Sequence, residues 1–186
     1  MTAYPKTQAL MQRGCEFLGT DYAILCGAMS WVSERNLVSA ISNAGGFGVI
    51  ACGAMTPELL DREIAATREL TSKPFGVNLI TMHPMLFDLI EICGKHAVGH
   101  VVLAGGIPPK GSVEAIKGHG AKVVVFAPTL ALAKKLLRSG GDALVIEGME
   151  GGGHIGPVST SVLAQEMLPA LSEDYLVFVA GGIGRG

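Results

Sequence analysis

The sequence predicts an α/β fold built as an incomplete (β/α)8 barrel. Apolar runs of strand length alternate with helical patterns seven times within the 186 residues. The runs are apolar on both faces, as a parallel sheet covered by crossover helices requires. Glycine or polar residues follow nearly every run, at the strand ends where barrel enzymes place their sites. An open doubly wound sheet is the alternative, and the unbroken series of units favours the barrel.

The predicted elements follow one another in a regular order. The strands are expected at residues 22–26, 47–50, 75–79, 101–103, 123–126, 143–146 and 176–180. A helix is expected at 10–18 before the first strand, and the others at 34–44, 56–70, 84–95, 112–118, 130–138 and 159–171. Ser33 is predicted to cap the second helix, and Thr56, Pro57 and Glu58 supply a cap, a first-turn proline and a first-turn acid to the third. Complete barrels usually need roughly 250 residues, so we expect a C-terminally truncated single domain over residues 1–186, ending after the seventh strand.

Composition narrows the class of protein. The chain is 49% hydrophobic and 16% charged, with a formal net charge of −2. Because it has no Lys/Arg cluster, nucleic acid is not an expected partner. The first residues do not resemble a secretory signal and no run approaches the length of a membrane span. We therefore expect a cytoplasmic protein without a membrane partner.

The cysteines and histidines do not indicate a metal site. No Cys-x-x-Cys pair occurs and no histidine stands at ligand spacing from a cysteine, so buried thiols are favoured over disulfides or zinc. The cysteines are Cys15, Cys26, Cys52 and Cys93. Four histidines fall at helix or strand edges, where a structural role is expected: His83, His96, His100 and His119.

The loop after the sixth predicted strand is the main candidate for a site. Glu147 ends a buried apolar run, and three glycines at 151–153 then precede His154. Because glycines leave little side-chain bulk, a flat ligand can lie against this backbone with the imidazole beside it. The alternative is a flexible surface loop that happens to hold a histidine.

In a parallel barrel the loops after the strands share one face, which gathers distant residues at a common mouth. These residues are Gly27, Ala28, Met29, Asn78, Ala104, Gly105, Gly106, Glu147, His154, Gly181 and Gly182. Most offer backbone groups, and the glycine pair at 181–182 could hold a phosphate, so a phosphorylated aromatic cofactor is predicted, with flavin mononucleotide (FMN) the natural candidate. Tight turns that need positive φ are the alternative explanation of each glycine. The glycine spacing after the last strand does not fit a dinucleotide fingerprint, and no nucleophile elbow or P-loop occurs.

Five segments, in order over nearly the whole chain, resemble the successive motifs of the nitronate monooxygenase (2-nitropropane dioxygenase) family. They are Gly-Ala-Met-Ser-Trp-Val at 27–32, Asn-Ala-Gly-Gly-Phe-Gly at 43–48, Lys-Pro-Phe-Gly-Val-Asn at 73–78, Glu-Gly-Met-Glu-Gly-Gly-Gly-His-Ile-Gly at 147–156 and Ala-Gly-Gly-Ile at 180–183. That family shares its FMN barrel with the FMN-dependent enoyl-ACP reductases. The chain departs from the family at Gly151, where alanine is common, and it has no counterpart of the Gly-Thr-Arg phosphate segment after the eighth strand.

The resemblance implies a role for each matching residue. Gly27, Ala28 and Met29 would lie against the isoalloxazine, and Asn78 and Glu147 would bond its polar edge or the ribityl chain. The loop glycines Gly152 and Gly153 would also face the cofactor, Gly181 and Gly182 would hold part of the phosphate, and His154 would be the catalytic histidine.

The resemblance also implies an activity, namely FMN-dependent oxidation of alkyl nitronates by O2 to a carbonyl compound and nitrite. Two alternatives remain open. The first is an enoyl-ACP reductase that uses the same flavin with NAD(P)H and acts on an enoyl thioester. The second is a non-catalytic truncated remnant of such a barrel.

Overall fold

The computed structural model describes residues 4–153 and 155–184. Six strands form one sheet in sequence order, and every neighbouring pair is parallel. The strands are β1 Gly48–Ala51, β2 Phe75–Ile80, β3 His100–Ala104, β4 Lys122–Phe126, β5 Ala143–Glu147 and β6 Leu176–Ala180. The helices are α1 Pro5–Leu18, α2 Arg35–Asn43, α3 Pro57–Leu70, α4 Leu86–Lys95, α5 Ser112–Gly118, α6 Leu130–Arg138 and α7 Thr160–Leu171.

The sheet is curled into a half-barrel with two separate apolar layers. Outward side chains such as Leu103 and Ile146 belong to the larger core shared with the helices, whereas inward ones such as Val102 and Val145 form a second cluster. Gly14 of α1 lies against Ala23, before β1, and also against the ring of Phe178 in β6. Because Gly14 lies close both to the segment that precedes β1 and to β6, the first and last strands of the sheet curve towards each other. The prediction of an incomplete (β/α)8-type barrel is confirmed.

The first predicted strand, 22–26, is wrong as a full strand. Leu25 forms an isolated parallel bridge with Phe47, and hydrogen bonds join Phe47 N–H to Ile24 O and Cys26 N–H to Phe47 O. Tyr22 and Ile24 are exposed, and the backbone pairing with Phe47 does not extend into a ladder. The described chain therefore contains six strands and one bridge instead of seven strands.

The helix ends show which sequence signals operate. Thr56 caps α3 as predicted, since its hydroxyl accepts the N–H of Leu59 at 3.3 Å. The predicted cap of α2 at Ser33 is wrong, because the carboxylate of Glu34 accepts the first N–H groups of that helix. The hydroxyl of Ser33 is engaged elsewhere, in the loop that precedes the helix.

Helix α1 closes the floor of the half-barrel, at the amino ends of the strands. The carbonyl oxygen of Phe17 accepts hydrogen bonds from His100 Nε2 at 2.8 Å and from Lys122 Nζ at 2.7 Å. The His100 ring packs edge-on against the rings of Phe17 and Phe47. Burial lowers the pKa of His100 from its ordinary value.

The cysteines are free thiols, as expected, but only two of them are buried. Cys52 and Cys93 lie in the core, and burial raises the pKa of each to about 12. Cys15 and Cys26 are partly accessible. The described residues contain no group of three metal-ligating side chains close enough to hold an ion. Within the same residues, no helix combines the length and the hydropathy that crossing a membrane would need.

Candidate functional site

The loop that follows the first bridge is held in a fixed shape by Ser33. The Ser33 hydroxyl donates to Gly27 O and accepts the N–H of Met29, both at 3.0 Å, and the side chain is only 1% exposed. The Ser33 carbonyl accepts the N–H of Ala51 at 3.0 Å, which fastens the loop to the carboxyl end of β1. Gly27 and Ala28 are exposed at the top of this loop, and a Cβ at Gly27 would meet no atom within 4 Å. The backbone predicted to contact a flat ring is therefore open.

Asn78 lies on the inner face of β2 beside this loop. It is 5% exposed and donates from Nδ2 to Val102 O at 3.1 Å, and its strand position pairs with Ala51. The hydrogen bond fixes the amide, so that its oxygen has a set direction.

Thr81, just past the end of β2, was not among the predicted site residues. It is 4% exposed, and its Oγ1 has no hydrogen-bond partner in the part of the chain that the structure describes. A buried hydroxyl without a partner costs free energy. The sequence signal for Thr81 was a polar residue close to the end of a predicted strand, as for Glu147.

Glu147 ends β5, on the inner face, with its carboxylate folded beneath the loop that carries His154. Burial raises the pKa of Glu147 above its ordinary value. A Cβ built on Gly151 would stand 2.4 Å from Glu147 Oε1, so the carboxylate occupies the space that an alanine methyl would take. Glycine at position 151 therefore leaves room for the carboxylate in this place.

Three residues pack tightly where β5, β6 and α7 meet. Gly181 follows β6 with φ +105°, and a Cβ there would lie 2.7 Å from Thr160 Oγ1. A Cβ on Gly148 would lie 2.1 Å from the backbone nitrogen of Thr160. The N–H of Gly148 donates to Ala180 O at 3.2 Å. Only glycine fits at these two positions without moving the start of α7.

The Glu150 carboxylate fills the amino terminus of α7, a contact that the sequence analysis missed. Its Oε2 accepts both the N–H and the hydroxyl of Thr160 at 2.8 Å. These hydrogen bonds lower the pKa of Glu150. Gly182 lies next to this side chain, with φ +74°. The only sequence signal was an acid ten residues before a helix start, which is outside the usual capping distance.

The tip of the histidine loop projects from this base. Met149 N–H donates to Val158 O at 2.8 Å, which closes the loop below its tip. Gly152 and Gly153 are exposed, and a Cβ at either would meet no atom within 4 Å. His154, the predicted catalytic residue, lies outside the described residues.

The predicted site residues thus lie at the carboxyl ends of the strands in two contact groups. One consists of Gly27, Ala28, Met29 and Asn78 around the ends of β1 and β2. The other consists of Glu147, Gly152, Gly153, Gly181 and Gly182 around the ends of β5 and β6. Because all strands are parallel, both groups border the same end of the half-barrel.

This arrangement fits a flat, phosphorylated cofactor. Exposed backbone at Gly27 and Ala28 offers hydrogen-bonding groups without side-chain bulk. Gly181 and Gly182 supply a turn of successive positive φ values, where main-chain N–H groups can face an anion. The α7 terminus itself is already taken by Glu150, so a phosphate would rely on the glycine pair.

Comparison with known proteins identifies the family. A sequence profile of nitronate monooxygenases matches residues 12–99 and 87–186. A (3aS,4S,5R,7aS)-5-hydroxy-7a-methyl-1-oxo-octahydro-1H-indene-4-carboxyl-CoA dehydrogenase of Mycobacterium tuberculosis is 35% identical over 175 residues, covering 92% of this chain and 49% of the relative. A nitronate monooxygenase of Pseudomonas aeruginosa is 29% identical over 224 residues, covering 95% of this chain and 64% of the relative.

Solved structures agree with this assignment. The structure of FabK from Thermotoga maritima superposes with a TM-score of 0.88 at 39% sequence identity, covering 94% of this chain and 55% of that one. The chain spans about half to two thirds of the length of these relatives. The matched profile covers the chain from residue 12 to residue 186. The chain therefore belongs to the nitronate monooxygenase family, a family of oxidoreductases.

Proposed function

We propose that the protein takes part in FMN-dependent oxidation of alkyl nitronates by O2, which yields a carbonyl compound and nitrite. The observation that carries the proposal is the family match combined with a strand-end rim of open backbone and glycine. The substrate would be a small molecule, and O2 the second substrate.

FMN, when bound, supplies the transfer of electrons between the nitronate and O2. We infer that Gly27, Ala28 and Met29 lie with their backbone against the flat ring. Asn78, whose amide is fixed by its bond to Val102, would orient the polar edge of the ring or the ribityl chain. Gly181 and Gly182 would hold part of the phosphate.

Glu147 is inferred to bind at the same polar edge. Because burial raises the pKa of its carboxyl group, Glu147 can carry a proton closer to neutral pH than an exposed glutamate can. A protonated carboxyl donates a hydrogen bond and a carboxylate accepts one, so this side chain can match either a carbonyl or an N–H group. Because Gly151 has no side chain, the Glu147 carboxylate can occupy the space beside it.

His154 is proposed as the catalytic residue. An imidazole with a reference pKa near ~6.5 can take the proton from the reacting carbon of a neutral nitroalkane, or stabilise a nitronate anion when protonated. Gly152 and Gly153 leave the loop free of bulk beside it.

The test is to mix the purified chain with FMN, record its flavin absorbance after desalting, and measure nitrite release and O2 uptake with an alkyl nitronate. We expect a yellow protein that turns over. His154→Ala should lower turnover of the neutral nitroalkane by roughly 10²- to 10⁴-fold, whereas His119→Ala, on the helical exterior beside Glu91, should not. Full turnover by the His154 variant would remove its proposed role. A colourless protein that retains no FMN would refute the cofactor proposal and favour the non-catalytic remnant.

A thioester substrate is the second candidate, favoured by the identity to a carboxyl-CoA dehydrogenase and to FabK. In this case the chain would act as an FMN- and NAD(P)H-dependent enoyl-ACP reductase, with His154 polarising or protonating the enoyl thioester. Steady consumption of NAD(P)H with a crotonyl thioester, and no nitrite from nitronates, would favour this candidate over the first.

A further inference from the structure

We propose that Trp31 is a specificity-determining residue that packs its indole against the alkyl chain of the substrate at the mouth of the half-barrel. The inference rests on the proposed function, because it takes the rim around Gly27 and Asn78 as the place where cofactor and substrate bind. It adds a substrate class, namely compounds with an extended apolar chain in preference to the smallest nitroalkanes.

The backbone at Trp31 is unusual for a bulky side chain. Its φ is +64°, and the only other residue in 4–153 and 155–184 with positive φ that is not glycine is Ala97. The left-handed region is unfavourable for side chains with a Cβ, and bulky residues rarely adopt it outside functional sites. Such a conformation persists only when the surrounding structure enforces it.

The surrounding loop does enforce it. The N–H groups of Val32 and Ser33 both donate to Met29 O, at 3.0 and 2.8 Å, and close the turn that contains Trp31. The Ser33 hydroxyl ties the same turn to Gly27 and Met29 from inside. The turn is therefore fixed by main-chain and serine contacts, none of which involves the indole.

The indole is not buried in the core, so burial does not offset the cost of this backbone conformation. Trp31 is 70% exposed, whereas a tryptophan retained for stability would be buried. Met29 and Val32 on the same loop are exposed too. A large apolar ring held in a strained turn and presented to solvent indicates a binding contact.

The position of the loop identifies which binding event it serves. Ser30, next to Trp31, has its hydroxyl 3.5 Å from where a Cβ on Gly53 would stand, and Ile80 Cγ1 lies 3.3 Å from the same point. The loop thus rests on the carboxyl ends of β1 and β2. Trp31 stands two residues from Met29, whose backbone is proposed to meet the flavin ring.

The surrounding loops extend the apolar surface. Exposed large apolar side chains follow other strands at the same end of the half-barrel, including Met82 after β2, Ile107 after β3 and Ile183 after β6. No charged side chain is found in the segment from Gly27 to Ser33. Apolar side chains around the rim suit an alkyl chain.

The test uses the fact that Trp31 is the only tryptophan in the sequence. The full chain is titrated with FMN, and the indole fluorescence should fall as energy passes to the bound flavin. Nitroethane and nitrooctane are then added to the FMN-loaded protein, without turnover, and their dissociation constants are read from the remaining emission. We expect nitrooctane to change the emission and to bind more tightly than nitroethane.

Two variants and one control separate contact from strain. Trp31→Gly removes the ring and relieves the positive φ, and it should raise the KM for the nitronate of nitrooctane by roughly tenfold relative to that of nitroethane. Trp31→Phe keeps an aromatic ring and should keep most of the preference. Ala97→Gly relieves a positive φ at the opposite end of the strands and should change neither KM. The affinity for FMN, measured from flavin absorbance, should stay within a few-fold in all three.

The outcomes are distinguishable. If FMN does not bind at all, the proposed function and this inference both fail. If FMN binds but Trp31→Gly leaves the ratio of the two KM values unchanged, or if nitrooctane leaves the indole emission unchanged, this inference fails and the proposed function stands. A loss of FMN affinity confined to the Trp31 variants would make Trp31 a cofactor contact and would also overturn the assignment to the substrate.

Discussion

A glycine junction near the histidine loop allows backbone strain and steric contact to be measured separately. Gly181 combines φ +105° with close contact to Thr160. Gly106 has nearly the same φ, +109°, but a Cβ there would meet nothing within 4 Å. Gly148 has no positive φ, yet a Cβ there would stand 2.1 Å from the Thr160 nitrogen. Gly106→Ala therefore measures the cost of positive φ alone, Gly148→Ala measures the cost of steric contact alone, and Gly181→Ala measures both together.

The expected losses follow from these geometries. A non-glycine residue in a sparsely populated φ region costs about 1–3 kcal/mol, and overpacking costs about 1–3 kcal/mol. Alanine regains about 0.4–1 kcal/mol by restricting the unfolded chain, and this gain is common to all variants. We therefore expect Gly106→Ala to lose up to about 2.6 kcal/mol and Gly181→Ala about 1–5.6 kcal/mol, of which about 1–3 kcal/mol is the added cost of the contact. The difference between these two losses is the cost of the steric contact at Gly181. Gly148→Ala should lose at least that much stability, because its Cβ would stand closer to Thr160.

The assay is equilibrium unfolding in urea followed by far-ultraviolet circular dichroism, because the one tryptophan is exposed and reports poorly on the core. Unchanged m-values would show that the variants unfold from the same native state. Equal losses for Gly106→Ala and Gly181→Ala would refute the reasoning, since they would show that the contact between Gly181 and Thr160 carries no energy.

Three further predictions concern single side chains. The pKa of His100 is lowered in the folded state, so the free energy of unfolding should fall as pH drops below the unfolded pKa of about 6.5. In urea unfolding, the free energy of unfolding of His100→Gln should fall less than that of the parent protein between about pH 7.5 and about pH 5. An equal fall in both proteins would contradict this. Cys52 and Cys93, with pKa values of about 12, should react with Ellman's reagent only after the protein unfolds. The measurement uses a variant that lacks the two more accessible cysteines, and prompt labelling of its native form would contradict the burial of Cys52 and Cys93. Gly151→Ala should push the Glu147 carboxylate towards solvent and lower its pKa towards the ordinary value. Carbon-13 NMR titration measures this pKa, and an unchanged titration would mean that the carboxylate does not lie against Gly151.

Much of the fold was predictable because its signals are local. Strand and helix bounds from β1 onwards agree with the sequence pattern to within about two residues at most ends, since buried apolar runs and caps such as Thr56 act within a few residues. The first strand was overpredicted because an apolar run does not reveal how far its backbone pairs with a neighbour, and here the pairing is limited to the bridge between Leu25 and Phe47. Ser33 was assigned to the wrong role because Ser33 and Glu34 both stand directly before α2, and either side chain could cap the helix. In the structure the Glu34 carboxylate caps α2, and the Ser33 hydroxyl donates to Gly27 O instead.

The location of the site was predictable, whereas its internal contacts were not. Parallel strand order alone places Asn78 and Glu147 at one end of the half-barrel. The bonds from Glu150 to Thr160 depend on how the loop folds back over α7, and periodicity carries no information about that. The unpartnered hydroxyl of Thr81 depends on its neighbours in three dimensions in the same way.

The floor of the half-barrel has a consequence for the order of folding. The carbonyl of Phe17 is bound by side chains that lie 83 and 105 residues later in the chain. Helix α1 is synthesised before β3 and β4, yet it cannot dock until those strands have emerged and paired. Its apolar side chains therefore stay exposed to solvent during translation. Contacts between residues so far apart in sequence form slowly, and exposed apolar surface is prone to aggregation. A nascent chain that is halted before Lys122 should hold α1 undocked, and a protease should cleave there first.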